Sequence, residues 1–189
     1  MDISIISGPR RKIILILSII FGSVAGGQWE TFLRFMNEVP FTVVDTASGQ
    51  VGPAKDPVFH KNISFYVFTI PVLHLVQGWL QWAVIVTMVA TTSIYFIHLN
   101  LRGINLSQAF TPAMISHASA LLGLLLLVVT MSYWIDIYQL LFSPDGVIFG
   151  AAYTDLIARR PALQLLLVIG SVLCLFLLAN AYFRSIKVL

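Results

Sequence analysis

Charge is the scarcest commodity in this chain. Only 10% of its 189 residues are Asp, Glu, Lys or Arg, where a soluble domain carries about 25%. Cysteine is nearly absent: Cys174 stands alone inside an apolar run, so an internal disulfide is excluded, and it reads as a small buried hydrophobe. The net charge of +3 is low and the basic residues are scattered, which argues against nucleic-acid binding. Enzyme signatures are missing too. No His, Cys, Asp and Glu fall at metal-ligand spacing, and there is neither a phosphate loop nor a nucleophile elbow. FGSVAGG (21–27) is glycine-rich but lacks the Lys-Ser/Thr that a phosphate loop needs.

What remains is hydrophobic. Apolar residues make up 58% of the chain, and the mean hydropathy is +0.90. One soluble core could not hide so much apolar surface, so the solvent must be lipid. The pattern predicts an all-α membrane protein in a single polytopic domain. Its four crossings lie near 11–27, 78–97, 112–134 and 161–183, with outer loops at 28–77 and 135–160. Past Arg11 and Lys12 the crossings contain no Asp, Glu, Lys or Arg. A transporter would show ionisable groups or broken helices at mid-membrane.

The basic start followed by the apolar run 13–27 imitates a signal peptide, but the run makes sense as a retained first helix of a bundle. Gly22 and Gly26 form a small-xxx-small pair suited to helix packing. In QWETFLRFMNEV, Trp29, Phe32, Leu33 and Met36 share a helical face, and Glu30 and Arg34 are spaced to pair. This stretch predicts a short helix lying in the membrane surface. A loop rich in Gly, Pro, Asp and Ser follows. The apolar stretch 64–100 exceeds one crossing. Pro71 and Gly78 predict a break into a surface segment and then a crossing from about 78 to 97. Residues 99–108 make a short connection. Pro112 and Pro161 open the last two crossings.

Charge asymmetry orients the chain. With the N-terminus cytoplasmic, the inner side holds six cations (Arg10, Arg11, Lys12, Arg102, Arg184, Lys187) against Asp2, a net +5. The outer side holds five cations against seven anions, a net −2, and its anions include Asp45, Asp136, Asp145 and Asp155. All four tryptophans, Trp29, Trp79, Trp82 and Trp134, fall at outer helix ends, as an interfacial aromatic belt would. Both termini are therefore expected on the cytoplasmic face of a bacterial cytoplasmic or thylakoid-type membrane.

The segment 132–163 is the one whose residues look individually specified. Trp134, Asp136, Tyr153, Asp155, Arg159 and Arg160 are expected to form an ordered outer cap, with Asp155 near the start of the last helix. His117, about one turn inside the inner end of the third crossing, has the small neighbours Ala118, Ser119 and Ala120, which leave room for a macrocycle. His117 and His74 are the candidate axial ligands for haem or (bacterio)chlorophyll; the plainer reading is a histidine hydrogen-bonded to a neighbouring helix. His98 is the other inner-side histidine, and His60 lies in a loop.

DPVFHKNISFYVF (56–68), FYVFTIP (65–71), SYWIDIYQLL (132–141) and FGAAYTDLIARRPAL (149–163) resemble Uncharacterised Protein Family 0182, large multi-pass membrane proteins of actinobacteria, cyanobacteria and relatives. The resemblance covers roughly residues 25–180. It implies further membrane helices on both sides and a large extracytoplasmic domain, and it supplies an architecture without a reaction. Three departures stand out. The family pattern has lysine where Val129 stands, arginine at Ile137 and aspartate at Asn62, and the segment 46–55 looks like an insertion. Loss of an intramembrane lysine points to a relaxed ion- or substrate-handling role. The expected function is a non-catalytic accessory or structural subunit of a larger membrane complex, photosynthetic or respiratory, whose partners are other integral membrane subunits and lipids. The alternatives are a pigment- or haem-binding protein (chlorophyll, carotenoid or haem) that uses His117, and a component of a transport or translocation system.

Overall fold

A computed structural model describes residues 3–44, 49–102, 111–142 and 150–186. Asp2, Asp45, Asp145 and Lys187 lie outside the described residues, as does most of the 99–108 connection. Helices dominate. Three of them are long and apolar enough to cross a membrane: Phe65–Leu101, Pro112–Phe142 and Asp155–Phe183. The stretch Ile14–Gly26 ends in a 44° bend into Trp29–Met36, and the two pass the same test only when taken together. The chain divides into two compact units, 1–72 and 73–189.

In the first unit, α1 (Ile3–Gly26) precedes α2 (Trp29–Met36). The short amphipathic helix expected here is α2, and Arg34 pairs with Glu30 one turn earlier. The Gly- and Pro-rich stretch that follows is not simply a loop. Strands β1 (Thr42–Val44) and β2 (Val51–Pro53) form an antiparallel ribbon in which Val43 faces Gly52. Its backbone groups bond to each other, which an irregular connection would leave to water. Part of the apparent insertion 46–55 therefore serves as one strand of this ribbon.

Beyond β2, the DPVFHKNISFYVF motif folds around its first residue. The Asp56 carboxylate accepts from the N–H groups of Val58 (2.8 Å), Phe59 (2.6 Å) and Lys61 (2.9 Å) and from the Tyr66 hydroxyl (2.7 Å). Such self-bonding is the habit of aspartate in turns. His60 takes a left-handed conformation (φ 56°), which histidine tolerates better than most residues. That twist turns the chain so that the Asp56 N–H donates to the Lys61 carbonyl at 2.9 Å. Asn62 bridges to Phe41: its Oδ1 accepts from the Phe41 N–H (3.1 Å) and its Nδ2 donates to the Phe41 carbonyl (3.0 Å). Glu38 accepts from the Ser64 hydroxyl at 2.7 Å and the Thr69 hydroxyl at 3.3 Å. Phe41 stacks on Phe68, centroids 6.1 Å apart.

The expected break at Pro71 and Gly78 does not occur. A π-helical turn, Phe65–Thr69, runs directly into one helix, α3 (Ile70–Arg102). Pro71 comes just after this π-helical turn, and the widened turn is where the continuous helix accommodates a residue with no N–H to donate. Gly78 is accommodated within the helix.

In the second unit, α4 (Pro112–Gln139) starts as its sequence predicts. Pro112 fills the first turn, and the Thr111 hydroxyl caps it by accepting from the Met114 N–H at 3.3 Å. A 3₁₀ turn, Leu140–Phe142, extends α4. A second π-helical turn, Asp155–Arg159, leads into α5 (Arg160–Ile186).

Helices α4 and α5 pack closely and antiparallel along a seam of small residues. The Ser116 hydroxyl donates to the Ala181 carbonyl (2.7 Å), Asn180 donates to the Ser119 hydroxyl (2.9 Å), and Cys174 donates to the Gly123 carbonyl (3.3 Å). A Cβ placed on Gly123 would stand 2.9 Å from Leu178 Cδ2, and one on Gly170 would collide with the Thr130 hydroxyl. Small side chains let the backbones approach, and dispersion and hydrogen bonds then do what hydrophobicity cannot do in lipid. Gly22 and Gly26, the pair singled out from sequence, have no described atom within 4 Å of an added Cβ.

Candidate functional site

Between α3 and α4, polar side chains meet at two places. At one end of α3, the Gln139 amide nitrogen donates a hydrogen bond to the His74 ring Nε2. Asp136, one turn before Gln139, lies within electrostatic reach of both His74 and Arg159. Arg159 reaches back to the buried Asp155 at 3.7 Å. Asp155 also closes its own turn: its carboxylate accepts from the Ala152 N–H at 3.1 Å, and its N–H donates to the Ala152 carbonyl. The residue therefore ties the start of the last helix to the chain before it. Gln77 donates to Gln81 at 2.9 Å one turn further along α3.

At the other end, the Tyr95 hydroxyl meets His117 Nδ1 at 3.3 Å, and the rings stand edge to face with centroids 6.1 Å apart. The plainer sequence reading of His117, a bond to a neighbouring helix, describes this contact. Twenty-one residues separate His74 from Tyr95 on α3, and twenty-two separate His117 from Gln139 on α4. At about 1.5 Å per residue these are about 32 and 33 Å. The matched lengths make the helices antiparallel, and they compare with about 30 Å for the hydrocarbon core of a bilayer. The two histidine clasps thus stand about one hydrocarbon thickness apart. Around the Tyr95–His117 clasp an apolar crevice of about 300 Å³ opens between the helices, lined by Met88, Thr92, Tyr95, Leu99, Met114, Ala118 and Leu122 among others.

The expected outer-cap residues fall as follows. Asp136, Asp155 and Arg159 form one electrostatic group with His74. Trp134 is exposed and stacks edge to face on Tyr138, centroids 5.2 Å apart. Tyr153 is 78% exposed. Arg160 is half-buried at the first residue of α5. The burial at this end is of a different kind: Ile135 is fully buried and Ile137 nearly so, the latter where the family pattern has arginine. Sequence reasoning missed Tyr95 and Gln139, whose partners lie 22 and 65 residues away. It also missed the seam residues Gly123, Thr130 and Gly170; Cys174, read as a small buried hydrophobe, is buried in that seam. The spacing of Ser116, Ser119, Gly123 and Thr130 by three, four and seven residues is the signal that could have found them.

In the first unit Asp56 is the buried ionisable group. Burial alone would raise its pKa. The bonds from the Phe59 N–H, the Tyr66 hydroxyl and the Lys61 and Val58 N–H groups outweigh this and hold the carboxyl below its ordinary value. Among the described residues, no three His, Cys, Asp or Glu side chains converge on a point where a metal could sit.

The profile of Uncharacterised protein family UPF0182 matches residues 10–189. A UPF0182 protein of Nostoc sp. is 31% identical over 177 residues, 94% of this chain and 17% of that relative. One from Thermobifida fusca is 35% identical over 185 residues, 95% of this chain and 17% of its own length. One from Bradyrhizobium diazoefficiens is 30% identical over 171 residues. The chain therefore spans about a sixth of the length of these relatives. No solved structure matches it. With its motifs placed and residues 10–189 matched, the chain belongs to the UPF0182 family.

Proposed function

We propose that this chain is a non-catalytic packing subunit of a larger integral membrane assembly, and that it crosses the bilayer four times with both termini cytoplasmic. α1 is the first crossing, and the chain bends by 44° at Gly27 and Gln28 into the amphipathic α2 at its outer end. The distribution of charge and the exposed Trp29, Trp82 and Trp134 support this orientation.

The observation that carries the subunit reading is the bareness of α3. None of its most apolar 18-residue window is buried by the rest of the chain, against 22% for α4 and 11% for α5. Helix α3 is held to α4 by side-chain clasps near its two ends, while α4 and α5 interlock along their length. In relatives about six times longer, the matching stretch is set among further chain. A long helix with an uncommitted flank is what an assembly partner uses. Photosynthetic or respiratory complexes remain the assemblies in which such small subunits are to be sought.

Gentle solubilisation from native membranes, followed by size separation and mass spectrometry, tests this. Stable companion membrane polypeptides are expected in fixed ratio to the chain. Migration only as a small free particle, with none, would overturn the reading.

A further inference from the structure

The two π-helical turns follow one backbone plan, used twice. Phe65–Thr69 and Asp155–Arg159 are each five residues long and stand ninety residues apart in the chain. Five residues before each lies a residue with positive φ, His60 at 56° and Gly150 at 127°. The first N–H of each turn bonds back three residues, from Phe65 to the Asn62 carbonyl (3.1 Å) and from Asp155 to the Ala152 carbonyl (3.0 Å). A helical hydroxyl residue, Ser64 or Thr154, leads in. The N–H of Ile70 or Arg160 closes the turn on the carbonyl of Phe65 or Asp155. The next residue is proline, Pro71 or Pro161, and a long apolar helix continues from it.

The first copy shows what this plan can hold. A π turn closes from residue i to i+5, so side chains five apart stand one above the other on its surface. In an α-helix that relation belongs to residues three or four apart. Ser64 and Thr69 are five apart, and their hydroxyls donate to the two oxygens of one carboxylate, Glu38, at 2.7 and 3.3 Å. Ser64 is buried.

The corresponding pair in the second copy is Thr154 and Arg159. Thr154 is exposed, and the Arg159 side chain is 52% exposed. Among the described residues no carboxylate bonds to the Thr154 hydroxyl. Arg159 reaches Asp155 at 3.7 Å, and the Asp155 carboxylate also accepts from the Ala152 N–H. A guanidinium carries five donors in a fork, so Arg159 can take a second carboxylate without releasing Asp155. A hydroxyl beside a guanidinium is a stronger carboxylate receptor than the two hydroxyls that hold Glu38.

We propose that the Thr154–Arg159 pair binds an aspartate or glutamate side chain of a companion membrane polypeptide, as the Ser64–Thr69 pair binds Glu38. The site rests on the reading of the chain as a packing subunit, and it gives the partner a chemical mark: an acidic residue level with the start of α5.

The test uses the full chain in native membranes treated with a carbodiimide, which joins an amine to a carboxylate that touches it. The amine of Thr69→Lys should couple to Glu38, which checks the first copy. The amine of Arg159→Lys should couple to an acidic residue of a companion polypeptide, identified by mass spectrometry of the linked peptides. After gentle solubilisation Arg159→Gln should lower retention of that companion roughly tenfold and Thr154→Val roughly threefold, while Arg159→Lys keeps most of it. Coupling of Arg159→Lys only within its own chain, to Asp136, Asp145 or Asp155, with companions still retained, would overturn this site and leave the subunit reading standing. Coupling to a lipid phosphate would put a headgroup there and overturn it as well. Absence of any companion would overturn both.

Discussion

Replacing Asp56 should loosen the first unit by an amount that its bonding pattern fixes. Each carboxylate oxygen accepts twice: Oδ1 from the Val58 and Phe59 N–H groups, Oδ2 from the Lys61 N–H and the Tyr66 hydroxyl. A hydrogen bond to a charged acceptor contributes about 1.5–3 kcal/mol, and a neutral one about 1 kcal/mol. The carboxylate is screened mainly by its own turn, so the freed donors can rehydrate and each bond counts for only about 0.75 kcal/mol, low in the net range for a hydrogen bond. Asp56→Ala loses all four bonds and should destabilise the turn by about 3 kcal/mol. Asp56→Asn keeps one oxygen, so two donors find an acceptor and two face an NH₂ group; about 2 kcal/mol is expected. Amide hydrogen exchange of the full chain in detergent reads this directly. Protection at Val58, Phe59 and Lys61 should fall about 30-fold in Asp56→Asn, since 1.4 kcal/mol is a factor of ten, and further in Asp56→Ala. The same turn should respond to acid. A carboxyl whose folded pKa is depressed contributes stability that is fully present above its unfolded value of 3.8 and fades as pH falls below it toward the folded value. Unchanged exchange at these three amides in Asp56→Ala would refute the view that the side chain organises the motif.

Other perturbations separate seam from surface. Gly170→Leu drives a side chain into Thr130 and should lower the thermal stability of the chain in detergent by about 1–3 kcal/mol, whereas Gly22→Leu meets open space and should leave a monomeric preparation unaffected. Asn62→Asp removes the donor to the Phe41 carbonyl and sets a carboxylate against it, a cost of about 1–2 kcal/mol, measured by exchange at Phe41. Glu30→Gln removes an ion pair exposed on both sides, so less than about 0.5 kcal/mol should be lost in thermal unfolding. Under the proposed orientation, a cysteine at Tyr153 should react with a membrane-impermeant thiol reagent added to intact cells, and protection until lysis would invert the topology.

Much of this protein was legible in one dimension because membrane physics is local. About twenty apolar residues in a row, interrupted by charge, mark helices 112–139 and 160–186 without reference to any partner. Pro112 announces the start of α4 by its own chemistry, and the Glu30–Arg34 pair follows from helical spacing alone. Local signals failed where neighbours overrule them. Pro71 and Gly78 read as a break, yet a proline that follows a π-helical turn and a glycine within an apolar helix are both tolerated. The stretch around 42–53 read as a loop because three-residue strands leave no periodicity to detect.

Only tertiary structure decided which polar groups meet. The order of residues shows His74, Tyr95, His117 and Gln139 as four separate points. Antiparallel packing at 1.5 Å per residue brings them into two pairs about one hydrocarbon thickness apart. Sequence determined which stretches are helical and which helices are long and apolar enough to cross a membrane, because both properties are set residue by residue. Where the backbones close together at Gly123 and Gly170, and where α3 stands off to leave a crevice, was settled by shape complementarity between distant segments, which no single stretch encodes.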